Sequence, residues 1–77
     1  MTHWFVHDSG NMLVRVDGPG KAAMLGRGAS GWKDDPSFDR FLFLDPGMDW
    51  DEVDDATGQR LADAMMAAGH SGAAQKR

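Results

Sequence analysis

The chain has 77 residues, twelve acids against eight bases for a formal net charge of −4, and no cysteine. That length allows one small domain, which buries only about 60% of the surface its unfolded form exposes, with neither a disulfide nor a thiolate zinc site to brace it. No apolar run reaches the ~20 residues of a membrane span, no signal-peptide core opens the chain, and the basic footprint of a nucleic-acid binder is missing.

In chain order, Trp4-Phe5-Val6-His7 and Met12-Leu13-Val14-Arg15-Val16 are β-prone runs on either side of the turn cluster Asp8-Ser9-Gly10-Asn11. They predict a β-hairpin with His7 opposite Met12 and Phe5 opposite Val14. One face then carries His3, Phe5, His7, Met12, Val14 and Val16, and is expected to face the core. Trp4, Val6, Leu13 and Arg15 lie on the other, where Trp4 and Arg15 can stack.

Asp17-Gly18-Pro19-Gly20 ends the hairpin, and Lys21 to Leu25 reads as one or two helical turns closed by Gly26. Residues 26–36 form a glycine-rich loop anchored by Trp32. Residues 38–44 give two signals. Asp35-Pro36 resembles an N-cap with Pro at N1, whereas Phe41-Leu42-Phe43-Leu44, closed by Asp45-Pro46-Gly47, suits a buried strand. The reading favours a strand over 40–44, a third strand that makes the hairpin into a sheet.

The dominant element is a helix from Trp50 to about Ala68. Asp49 and Glu52 form a capping box, and Asp51 and Glu52 place negative charge in the first turn. Trp50, Val53, Thr57, Leu61, Ala64, Met65 and Ala68 make an apolar stripe, with Asp54 near its edge and Met66 opposite. Gly58 costs about 1 kcal/mol against Ala inside a helix, and a small residue there permits close backbone approach, either to the sheet or to a partner. Gly69 is a natural C′ residue and His70 suits the negative end of the dipole. The expected architecture is an α+β domain over residues 1–70, a hairpin plus a third strand packed against one long C-terminal α-helix, with 71–77 a flexible polar tail.

The motifs that could carry chemistry are incomplete. Gly26-Arg27-Gly28-Ala29-Ser30-Gly31 satisfies G-x-G-x-x-G, but lacks the strand before it and the helix after it that dinucleotide binding requires. Gly20-Lys21 lacks the first P-loop glycine and the magnesium-ligating hydroxyl, and Gly28 to Gly31 is one residue short of a nucleophile elbow. His3 and His7 share a strand face but sit roughly 13 Å apart, too far to chelate one ion. Asp45, Asp49, Asp51, Glu52, Asp54 and Asp55 do not follow the EF-hand order, because Val53 breaks the third ligand position and no distal Glu follows. The reading expects no enzyme, no cofactor and no resident metal.

Charge is unevenly spread. Residues 34–55 hold nine acids and one base, Arg40, between two mildly basic segments. Solvation and helix capping account for much of this, and docking of a basic partner surface is the functional alternative. Methionine suits adaptable protein contacts. The candidate partner-binding residues are therefore Asp34, Asp35, Asp39, Asp51, Asp54 and Asp55 with Met65 and Met66.

The order from Trp4 to Trp32 carries a further signal: a strand ending in His7 and a polar-Gly turn, the Val14/Val16 strand, small residues with Ala22-to-Leu25 spacing, then Gly31-Trp32. It resembles small hairpin-plus-helix proteins encoded among the virion-assembly genes of tailed phages of high-GC bacteria. The skewed residue usage, eleven Asp to one Glu and no Ile or Tyr, fits such a genome. The chain departs from that pattern with Asp8 where a proline often sits, a longer glycine loop and an added C-terminal helix. The resemblance covers about a third of the chain, carries over no binding residues, and implies a minor capsid- or connector-associated protein. The expected partners are protein subunits, its own or other structural proteins, with homo-oligomerisation an option and neither membrane nor nucleic acid. The expected setting is a virion or the bacterial cytoplasm. The alternative is an acidic soluble regulator that captures a basic site on a host protein.

Overall fold

A computed structural model of the chain describes residues 2–29 and 31–74, with side-chain placement as far as Ala67. It is an α+β fold: a five-stranded antiparallel sheet in the order β4-β3-β2-β1-β5, with one C-terminal helix.

The first hairpin forms as its sequence predicts. β1 (His3–His7) pairs with β2 (Met12–Gly18), Phe5 opposite Val14 and Trp4 opposite Arg15. The turn is tied by the Gly10 amide donating to the His7 carbonyl at 2.8 Å, with Gly10 at φ 75°. That left-handed conformation is cheap only for glycine.

The second hairpin corrects the reading of residues 21–25. They form strand β3 (Lys21–Gly26), not helical turns, with Val16 opposite Ala22 and Val14 opposite Met24. Pairing with β2 overrides the weak strand propensity of two consecutive alanines. Gly20 at φ 74° makes the connecting turn. The third strand of the hairpin sheet is thus β3 and not residues 40–44. A two-residue strand β4 (Lys33–Asp34) borders β3.

Residues 36–42 are a 3-10 helix, Pro36–Leu42. Here the Asp35-Pro36 cap decides over the apolar run. The Asp35 carboxylate accepts from the Ser37 amide at 3.3 Å and the Ser37 hydroxyl at 2.5 Å.

The long helix also begins later than its first capping signal. Residues 50–53 are strand β5 (Trp50–Val53), paired with β1 so that Trp4 faces Val53 and His7 faces Trp50. Helix α1 spans Asp55–Ala74. Its cap is Asp54 and not Asp49: the Asp54 carboxylate accepts from the Thr57 amide at 2.9 Å and its carbonyl from Gly58 at 2.8 Å. α1 continues through Gly69, so that glycine does not end it. The His70 side chain and the tail beyond Ala74 lie outside the described residues.

Both faces of the sheet are covered. On one, Trp4, Leu13 and Leu25 pack against Ala62 and Met65 of α1, flanked by Val6, Trp32, Val53, Leu61 and Met66. On the other, Phe5, Val14, Val16 and Ala22 pack against Phe41, flanked by Met24, Phe38, Leu42 and Trp50. The helix therefore crosses the Trp4/Leu13 face, and the 3-10 helix covers the Phe5/Val14 face expected to receive it. Trp32 is the anchor its isolation predicts, 6.0 Å from Trp4 edge-on and with the Arg15 guanidinium 4.7 Å over its ring. Arg15 thus stacks on Trp32 rather than on Trp4. No helix among the described residues is long and apolar enough to cross a membrane.

Candidate protein-binding surface

The acidic stretch 34–55 separates into carboxylates that hold the fold and carboxylates that do not. Asp35 caps the 3-10 helix. Asp39 accepts from the Gly20 amide at 2.7 Å, fastening that helix to the β2–β3 turn. Asp54 caps α1, and its bonds to Thr57 hold its carboxyl below the usual aspartate range. Asp55 accepts from the Trp4 indole N–H at 2.7 Å, which satisfies the one polar atom of a buried ring. Asp34 and Asp51 project into solvent from β4 and β5. Asp34 also lines a cleft of about 350 Å3 with Arg15, Asp17 and Lys21. Mixed charge and an open mouth give that cleft no preference for a ligand of either sign.

The methionines are placed differently from the sequence reading. Met65 has no exposed surface; its side chain belongs to the core under α1 and is unavailable to a partner. Met66 is half-buried beside it and not opposite the stripe. Among the described side chains, the buried line along α1 is Gly58, Ala62 and Met65, because α1 starts five residues later and turns a different set inward.

The exposed apolar surface lies elsewhere. Phe43 is 67% exposed, Leu44 64% and Met48 98%, all within the connection from the 3-10 helix to β5. Single exposed apolar residues are ordinary; three large ones within six residues of one connection make it the candidate contact segment. The sequence contained the signal in part: the apolar run 41–44 is conspicuous, but only its first half is buried. Phe41 turns onto Phe5 with ring centroids 5.0 Å apart, while Phe43 and Leu44 turn outward.

The backbone of this connection is held at three points. The Phe43 and Leu44 amides donate to the Arg40 carbonyl at 3.0 and 2.8 Å, and the Asp49 carbonyl accepts from the Asp8 amide at 2.7 Å. Between them the Gly47 amide donates to the Asp45 carboxylate at 2.9 Å, with Gly47 at φ 92°. Such an Asx turn needs a residue after Pro46 that tolerates positive φ.

The rim is acidic. Asp45 and Asp49 are exposed within the connection itself, and Asp51 and Glu52 are exposed on the strand β5 that follows it. The only base of the stretch, Arg40, lies over the rings of Phe38 and Phe41 at 4.9 and 5.2 Å and donates to the Ser37 carbonyl at 2.9 Å. His3 and His7 both have side-chain partners. His3 Nδ1 is 3.1 Å from a Glu52 carboxylate oxygen, and His7 Nδ1 accepts from the Ser9 amide at 3.1 Å while its ring meets Trp50 edge-on at 5.0 Å.

No family model, curated protein or solved structure matches this chain.

Proposed function

We propose that this chain is a small non-enzymatic docking module, a subunit that attaches to other protein subunits, and that its setting is a phage particle, where it sits on the capsid or connector. The observation that carries the docking reading is the outward display of Phe43, Leu44 and Met48 on one short connection. Folding leaves their apolar surface in water, at about 25 cal/mol per Å2 that burial against a partner recovers. The virion setting rests on the resemblance of residues 4–32 to small phage assembly-region proteins, and on residue usage suited to a high-GC host.

The test is purification of the tagged chain from its native source with crosslinking and mass spectrometry, beside fractionation of intact particles. The proposal expects the chain in particles at fixed copy number, crosslinked to a shell or connector subunit. A chain absent from particles that binds one host protein with strongly salt-dependent affinity supports the regulator reading instead. A chain that crosslinks to nothing contradicts both.

A further inference from the structure

We infer that the 43–49 connection is the docking element itself, and that its occupant is a protein surface with an apolar stripe flanked by lysine or arginine. This rests on the docking reading above and assigns it a place and a partner chemistry.

Three observations converge. Three large apolar side chains point outward within six residues, while Phe41 and Leu42 just before them serve the core. The backbone that presents them is pinned to Arg40, within the Asp45 turn, and to Asp8. A segment fixed before binding loses little conformational entropy on contact. Finally, the connection that carries the apolar group also carries two exposed carboxylates, Asp45 and Asp49, and no base, while Arg40 just before it is committed to ring faces and a carbonyl.

The charge selects the occupant. A second copy would bring the same acidic rim against itself, and an anionic membrane would repel it likewise. A neutral membrane would accept the apolar residues but gains nothing from the carboxylates. A basic-flanked apolar surface on another protein satisfies both, with the apolar contacts supplying affinity and the rim supplying steering and register.

The probe is an amphipathic helical peptide of leucine and lysine, titrated into the labelled chain while backbone amide shifts are followed by NMR. The inference expects shifts centred on residues 43–49. A chain carrying Phe43→Ser, Leu44→Ser and Met48→Ser should bind roughly tenfold or more weakly. An Asp45→Asn/Asp49→Asn chain keeps the apolar group and should lose most of the salt dependence between about 0.05 and about 0.3 M. A peptide of the same charge with serine for leucine, and neutral phosphatidylcholine vesicles, should leave these amides unmoved. Shifts centred on α1 or β3, undiminished binding by the triple variant, capture by neutral vesicles, or concentration-dependent self-association through these residues would each overturn it. If the triple variant still crosslinks to the native partner, this inference fails and the docking function stands on another surface. If the native chain crosslinks to nothing, both fail.

Discussion

The two faces of the sheet solve the same problem with different chemistry. On the helix face a single indole organises the contact. Trp4 lies under the first turns of α1, and a Cβ added at Gly58 would stand 2.2 Å from its ring carbon Cδ2. The same ring donates to Asp55 and meets Trp32 on its edge. On the other face the work is shared. Phe5, Phe38, Phe41 and Trp50 meet in edge-on or tilted pairs with centroids 5.0 to 6.0 Å apart. Close approach of a helix backbone leaves no slack, whereas a cluster of aromatic rings can re-pack around a loss. The helix face should therefore be the sensitive one.

Removing the central side chain tests that first. Trp4→Ala should cost roughly 3–5 kcal/mol by denaturant titration, the largest single loss; under about 1 kcal/mol would place the indole outside the helix contact. Gly58→Ala comes next and separates the two faces most sharply. Helix propensity alone favours Ala by about 1 kcal/mol, but the methyl group collides with Trp4, and overpacking of this kind costs about 1–3 kcal/mol or more. We expect a net loss of about 2 kcal/mol, and a gain would show that α1 does not approach the sheet this closely. On the aromatic face, half-buried Trp50→Ala should also cost about 2 kcal/mol, below the range for a fully buried ring.

A smaller effect concerns how α1 begins. Asp54→Ala should lower the melting temperature by about 4–8 °C through the lost cap, while Asp49→Ala should leave it unmoved. Because folding depresses the Asp54 carboxyl, its stabilisation is complete above the ordinary aspartate range and is lost as pH falls through that range toward the folded value. The gap between wild type and Asp54→Ala should hold from neutral pH down to the ordinary aspartate range and narrow below it. A gap that widened on acidification would reverse the sign of the linkage.

How far this molecule can be read from its residues differs by element, for physical reasons. The first hairpin is legible because Asp8 to Asn11 admits one register. β3 is not, since Lys21-Ala22-Ala23 has no β-branched residue and Gly26 mimics a helix stop. The start of α1 is ambiguous locally: in so acidic a stretch both Asp49 and Asp54 can cap. Trp50 and Val53 fit helical spacing, yet three residues apart on a strand they reach opposite faces, Trp50 joining the aromatic cluster and Val53 the helix cluster. Only the two-sided sheet makes that arrangement favourable. Gly58 is legible in part: an unfavourable glycine inside a helix suits close approach to a sheet or to a partner, and only the fold shows that the neighbour is Trp4. Of the candidate contact residues, Asp35, Asp39, Asp54 and Asp55 prove to have bonds within the fold and Met65 to be core. The exposed group Phe43, Leu44 and Met48 was hidden because an apolar run reads as buried until its backbone turns.

If the docking proposal holds, Phe43, Leu44 and Met48 serve a partner and not the fold. The direct measurement is the Phe43→Ser/Leu44→Ser/Met48→Ser chain expressed in the native source, with its melting curve and its crosslinked partners recorded together. The expected result is a melting temperature within about 3 °C of wild type, as for exposed positions outside the core, together with loss of the crosslinked subunit. Unfolding of the variant, or an undiminished crosslink from a folded one, would contradict it.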